Sequence, residues 1–316
     1  MPENPASAST EGAGLFLVAN AGAGTAVVRA DPLPEIRRRL PRARVRELDA
    51  EESLDDAVAE ALAAADPPTV LGVLGGDGSV SRMAHLARQA GLPLLVLPGG
   101  TFNHFARAAG LDDVDTALGA YEAGRLREVA VAELSVDDGD PITVLNAVSL
   151  GAYPQFLAER TRRSHLGKWL GGLAAIQREL RAARPIGIVS GGRRARVWSV
   201  FVGIGRNDPG RHAMMQRMRL DDPELDVRIH HARGSRVRAM ASLAFGRRTI
   251  AVLRALRVLP PASEFERRLE DEWRIDVRPD GAPPVYVHDG ELEEAAASGF
   301  TLRVRAVPAG LRVYAP

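Results

Sequence analysis

Val73-Leu74-Gly75-Gly76-Asp77-Gly78-Ser79 joins an apolar run to a segment in which Val80, Met83, Ala84 and Ala87 recur at helical spacing. A buried strand that turns through glycine into an amphipathic helix is the repeating unit of a parallel sheet with crossover helices. Glycine at that junction lets backbone N–H groups approach phosphate oxygens, and the N-terminus of the following helix adds a favourable field. Asp77 inside the loop can hold a sugar hydroxyl, a metal-bound water or the loop itself. A tight strand-to-helix turn capped by Asp77 accounts for the same residues without any ligand.

The alternation extends outward from Gly14 to about Val131. It predicts strands over 15–19, 44–48, 69–74 and 94–97, and helices over 33–40, 53–65, 80–89 and 116–123. A second loop, Leu97-Pro98-Gly99-Gly100-Thr101-Phe102-Asn103-His104-Phe105-Ala106-Arg107, leaves the last of these strands at the same edge as the first loop. Ligands of open α/β sheets bind beyond the carboxyl ends of the strands, so both loops border one crevice. In the short helix that follows, Phe102, Phe105, Ala106 and Ala109 share a face and are assigned to the core. Asn103 and Arg107 fall on another face and either meet a ligand or, in the case of Asn103, satisfy the backbone.

Beyond Ala130 the texture changes to longer alternating runs with turn signals at Asp138-Gly139 and Gly191-Gly192, the mark of antiparallel hairpins. Further strands are predicted over 196–204, 226–231, 265–270, 273–277, 285–288 and 302–307, with helical insertions over 167–184 and 235–258. Asp280-Gly281 is one more hairpin turn. The resulting plan is a disordered tail over 1–12, an α/β domain over 13–131, a β-rich domain over 132–300, and a last segment, 301–316, that returns to the first domain.

With 316 residues the chain is long enough for two cores. It has no cysteine, which excludes a disulfide framework, a thiolate-ligated metal and thiol catalysis. Lys and Arg total 41 against 40 Asp and Glu, so no global charge argues for nucleic acid. The single lysine, Lys168, stands in neither a P-loop nor a protein-kinase pattern. No run approaches the roughly 18–20 apolar residues of a transmembrane helix. Arg236, Arg238, Arg247, Arg248, Arg254 and Arg257 flank apolar residues in the second insertion; they form either a solvated face or a surface for anionic headgroups.

Taken in series, the motifs resemble the diacylglycerol kinase catalytic-domain family, which includes sphingosine kinases and bacterial lipid kinases and shares its nucleotide-binding core with NAD kinases. Gly75-Gly76-Asp77-Gly78-Ser79 resembles the family's G-G-D-G-T loop, and Pro98 to Arg107 its P-x-G-T-x-N-D-F-A-R segment, with His104 in place of Asp. Asn20-Ala21-Gly22-Ala23-Gly24 resembles N-P-x-S-G without its Pro and Ser. Leu145 to Gly151 is similar to the stretch after the domain crossover. Leu220 to Asp226 is similar to D-G-x-L-D, disturbed by Pro223 and Glu224, and His288-Asp289-Gly290-Glu291 is similar to D-G-E.

The resemblance implies an α/β nucleotide-binding domain with a parallel sheet plus a second, mainly antiparallel β domain. It implies an ATP-dependent kinase acting on a lipid hydroxyl at the membrane surface. Asn20, Gly75, Gly76, Asp77, Gly78, Ser79, Gly100, Thr101 and Asn103 would bind nucleotide, Asp289 would be general base, and Glu291 would help ligate Mg²⁺. A structural Mg²⁺ would use Asp222 and Asp226. A homodimer and a cytoplasmic, transiently membrane-associated location are the corresponding expectations. Two alternatives stand beside it: a soluble-substrate kinase of the NAD kinase type, which shares Gly75 to Gly78, and a nucleotide or lipid sensor without turnover, suggested by His104 and the altered Asp222 region.

Overall fold

The computed structural model describes residues 11–20, 31–49, 51–151, 185–207, 217–232, 265–278, 285–296 and 298–316. The expected insertions over 167–184 and 235–258, with Lys168 and the arginines of the second, lie outside the described residues. So do Ala21 to Gly24, the Asp280-Gly281 turn and residues 1–10 of the tail. The chain divides into two compact units: Met1–Val131 with Arg219–Asp222 and Val307–Pro316, and Ala132–Met218 with Pro223–Ala306.

In the first unit, strands β1 (Leu15–Asn20), β2 (Arg44–Leu48), β3 (Val70–Gly75) and β4 (Leu94–Pro98) lie parallel in the order β2-β1-β3-β4. All six residues of β3 and all five of β4 are buried, as continuous apolar strands covered on both faces require. The helices are α1 (Leu33–Arg39), α2 (Leu54–Ala63), α3 (Asp77–Ala90), α4 (His104–Ala108) and α5 (Val114–Glu122). Ser53 caps α2 by accepting the Asp56 N–H, and Asp113 caps α5 by accepting that of Thr116. On α3 the stripe Val80, Met83, Ala84 and Ala87 is buried, and Gly91, at φ +67°, closes the helix in the left-handed conformation.

Phe102 departs from the sequence reading. It is 58% exposed, while Phe105, Ala106 and Ala109 are buried. The helix starts only at His104, so Phe102 precedes it and never joins the helical face; its ring stacks on the His104 imidazole instead.

The second unit is antiparallel. Its strands include β6 (Ile142–Val144), β7 (Ala147–Gly151), β8 (Ile186–Ser190), β9 (Arg193–Ile204), β10 (Leu225–His231), β11 (Phe265–Glu270), β12 (Glu272–Arg278), β13 (Val285–His288) and β14 (Glu291–Glu294). Strand β9 is long enough to pair with β7, β8 and β10. Gly191 and Gly192, both at positive φ, make the β8–β9 turn, and Asp138-Gly139 lies between β5 (Leu126–Val136) and β6. The core gathers Val148, Leu150, Val200, Val202, Val227, Ile275 and Leu302 from alternating positions of five strands.

The last strand, β15 (Phe300–Tyr314), runs well past the predicted end at residue 307. Its first residues pair antiparallel with β12, and Val313 pairs parallel with Leu94 of β4. Strand β14, Glu-Leu-Glu-Glu, has poor strand propensity and forms because β13 and the turn before it supply the pairing. No helix among the described residues is long and apolar enough to cross a membrane.

Candidate active site

Both glycine loops leave the carboxyl edge of the parallel sheet, where Gly75 stands in register with Pro98. Their glycines are dictated first by how closely the two backbones approach. The Gly99 N–H donates to the Gly75 carbonyl at 2.9 Å, and a Cβ on Gly100 would sit 2.5 Å from the Gly76 Cα. No side chain fits between them.

Polar side chains then lock this edge. Asn103, in the left-handed region at φ +49° and 8% exposed, accepts the Gly100 N–H at 3.0 Å and donates to the Gly100 carbonyl at 2.8 Å. Its carboxamide therefore serves the loop's own backbone, the ligand-free role weighed for it from the sequence. Asp77 does not cap α3, whose N-cap is Gly76; its Oδ1 accepts the His104 N–H at 2.7 Å and so ties the first loop to the second. Asn20, at the end of β1, donates to Ser79 Oγ at 3.1 Å. Thr101 is exposed, and Gly76, Gly78 and Ser79 are half-buried at the first turn of α3, whose leading N–H groups have no partner within the helix. Asn20, Gly75 to Ser79, Gly100, Thr101 and Asn103 thus all lie along one edge of the first unit.

In the second unit, Asp289 and Gly290 form the two-residue turn between β13 and β14, both at positive φ. Asp289 is more than a turn residue. It is 6% exposed, its Oδ2 accepts the Leu145 N–H at 2.7 Å, and its Oδ1 accepts those of Asn146 at 2.7 Å and Ala147 at 3.2 Å. Its own N–H donates to the Ala147 carbonyl. Pairing of β13 with β7 completes the contact between the two sequence motifs Leu145–Gly151 and His288–Glu291, 137 or more residues apart in the chain. Glu291, which opens β14, is exposed.

The expected metal pair, Asp222 and Asp226, requires correction. Asp222 belongs to the first unit and Asp226 to the second. Asp226 is fully buried and its carboxylate is taken by two guanidiniums, with Arg228 and Arg267 each donating to Oδ2 at 2.7 Å, while the Asn207 N–H donates at 3.0 Å. Burial alone would push this carboxyl up, yet the hydrogen bonds from Arg228 and Arg267 outweigh it and hold it below the usual carboxylate range. Two cations in contact with the carboxylate leave no place for a third, so a structural Mg²⁺ on Asp226 does not fit. The pairing was hard to read from sequence: Arg228 is two residues along the strand, but Arg267 arrives diagonally from β11.

Residues 14–134 match the family described as diacylglycerol kinase catalytic domain. A Pseudomonas aeruginosa protein named "Probable lipid kinase YegS-like" is 30% identical over 268 residues, which cover 82% of this chain and 80% of that one. The chain belongs to the diacylglycerol kinase catalytic-domain family. A relative of the same name from Pseudomonas syringae pv. tomato is 31% identical over 271 residues, 82% of this chain and 79% of its own. The crystal structure of a diacylglycerol kinase from Bacillus anthracis str. Sterne has the same fold, with a TM-score of 0.61 and 98% of each chain covered at 16% identity. Membership makes the protein an enzyme of the kinase class.

Proposed function

We propose that the protein transfers the γ-phosphoryl group of ATP to the hydroxyl of a lipid presented at a membrane surface. The observation that carries this reading is the glycine edge: two loops from adjacent parallel strands, one of them opening a 14-residue helix whose N-terminus favours anions. The names of the relatives support a lipid as the acceptor. In this reading Gly76, Gly78 and Ser79 receive the phosphates through backbone N–H groups, and Thr101 lies at the exposed lip of the second loop. Asn103 and Asp77 act by holding the two loops in register.

Phosphoryl transfer depends on positioning and on neutralising charge, and a primary alcohol needs a carboxylate to accept its proton. Asp289 takes that proton, with its carboxylate oriented in advance by the amides of 145–147. Glu291 is an exposed carboxylate of the hard-donor type that Mg²⁺ prefers and would hold that ion; Mg²⁺, when bound, neutralises phosphate charge. The amide clamp favours a second assignment within the same reaction: Asp289 as positioning residue and Glu291 as the proton acceptor.

Transfer of label from ATP into a panel of lipids, with product identification, tests the reading. Nucleotide binding without phosphorylation of any panel lipid would favour a sensor, and activity confined to NAD would favour the soluble-substrate class. Asp289→Asn is expected to abolish transfer. It also turns an amide N–H₂ toward backbone donors, so the melting temperature falls with a loss of about 2 kcal/mol. Full loss of transfer in Glu291→Gln at unchanged melting temperature, with residual transfer in Asp289→Asn, selects the second assignment.

A further inference from the structure

The β13–β14 hairpin carries a cluster of which the kinase reading uses only Glu291. His288 stands opposite Glu291, and Tyr286 opposite Glu293, so His288, Glu291 and Glu293 project from one face of the ribbon. One ligand atom from each lies within 4.8 Å of the others. His288 is 8% exposed, and its Nδ1 is buried with no hydrogen-bond partner. Its Nε2 points at the carboxylates, 3.8 Å from Glu293 Oε1, beyond hydrogen-bonding distance. An imidazole buried to nine-tenths without a hydrogen bond is costly, and two glutamates side by side on the strand repel each other. A cation between the three groups gives Nε2 a ligand bond in place of a hydrogen bond and relieves the repulsion between the glutamates.

We propose that this hairpin face binds a first-row divalent transition ion, Zn²⁺ or Mn²⁺ in preference to Mg²⁺ or Ca²⁺, through His288, Glu291 and Glu293. One imidazole with two carboxylates suits zinc and manganese, whereas Mg²⁺ and Ca²⁺ seek all-oxygen shells. Donors around a tetrahedral ion at zinc distances stand roughly 3.4 Å apart. The present spacing closes to that by rotation of the two exposed glutamates, while His288 stays fixed by burial and by its contact with the Tyr286 ring, 6.2 Å between centroids. Three protein donors leave the fourth position open to water, the arrangement of reactive rather than structural zinc sites. The site shares Glu291 with the kinase reading, yet it is built by the hairpin alone and rests on neither assignment made there.

Calorimetric titration of the full chain with Zn²⁺ and with Mg²⁺, without nucleotide or lipid, tests the proposal, with electron paramagnetic resonance of added Mn²⁺ as a second readout. Zn²⁺ is expected to bind one equivalent at this site more tightly than Mn²⁺, and Mn²⁺ more tightly than Mg²⁺. Glu293→Gln, an exposed and nearly isosteric change, and His288→Ala should each weaken this Zn²⁺ equivalent by more than about tenfold, the scale lost even when an outer partner of a metal ligand is removed. Unchanged Zn²⁺ affinity in Glu293→Gln, or Mg²⁺ bound as tightly as Zn²⁺, overturns the proposal. Lipid phosphorylation is scored separately, so either reading can fail without the other.

Discussion

In the first unit, the loops over 75–79 and 99–103 are shaped by backbone meeting backbone, and their side chains mainly secure that meeting. In the second, Asp289 and Asp226 are buried acids whose charge is matched by the surrounding structure, by amides in one case and by arginines in the other. One region is specified by what is absent, since a methyl group cannot be added. The other is specified by what must be present, since an unmatched charge cannot be tolerated. The difference predicts where each region is fragile: the first to added volume, the second to lost charge.

The largest effect belongs to the charge side. Asp226→Ala takes a paired carboxylate away from Arg228, whose side chain is 6% exposed, and should cost about 3–5 kcal/mol, read as a fall in melting temperature. The pH dependence follows from the same pair. Because the Asp226 carboxyl is held below its ordinary value, its stabilisation is complete above the unfolded pKa, about 4, and is lost as pH falls through the folded value. An acid titration of stability in which Asp226→Asn keeps the wild-type slope below pH 4 would break the assignment.

The volume side comes next. In Gly100→Ala the new methyl meets the Gly76 Cα and Asn103 Oδ1, neither of which can withdraw without parting the two loops, so a loss of about 3 kcal/mol is expected, together with weakened nucleotide binding. Gly290 offers the control. It sits at φ +95° with nothing within 4 Å of an added Cβ, so Gly290→Ala meets backbone strain alone and should cost only about 1–2 kcal/mol. Equal losses in the two variants, measured by thermal denaturation, would erase the distinction between close approach and backbone conformation.

This contrast also explains what was legible in the sequence. Local patterns carried the first unit: the Val80-Met83-Ala84-Ala87 stripe and the alternation of strand and helix are short-range signals. The exposure of Phe102 was not legible, because one residue's shift in where a helix starts moves a side chain off its face. In the second unit, partners come from register. Arg267 reaches Asp226 from another strand, and the amides of 145–147 reach Asp289 across more than 140 positions. Asp289-Gly290 is a hairpin turn of the kind an Asp-Gly pair makes locally, whereas the clamp on its carboxylate is a tertiary fact. Strand β14 was missed for the same reason, since four mostly acidic residues become a strand only through their neighbour.

Asp77 is an acid in the region otherwise governed by volume. In the fold it accepts the His104 N–H, an exposed bond between the two loops. Removing that bond in Asp77→Ala should cost about 1 kcal/mol, the ordinary worth of a single hydrogen bond, and loosen the nucleotide edge. Asp77→Asn keeps an oxygen in the same place and discards only the charge. If the tether is the whole role, nucleotide affinity in Asp77→Asn stays within about threefold of wild type, under ~0.7 kcal/mol, while Asp77→Ala loses more. If both variants lose affinity alike at equal melting temperature, the charge itself is in use. Asp77 would then work on the ligand side of the edge, and the first unit would share the second unit's dependence on a matched carboxylate.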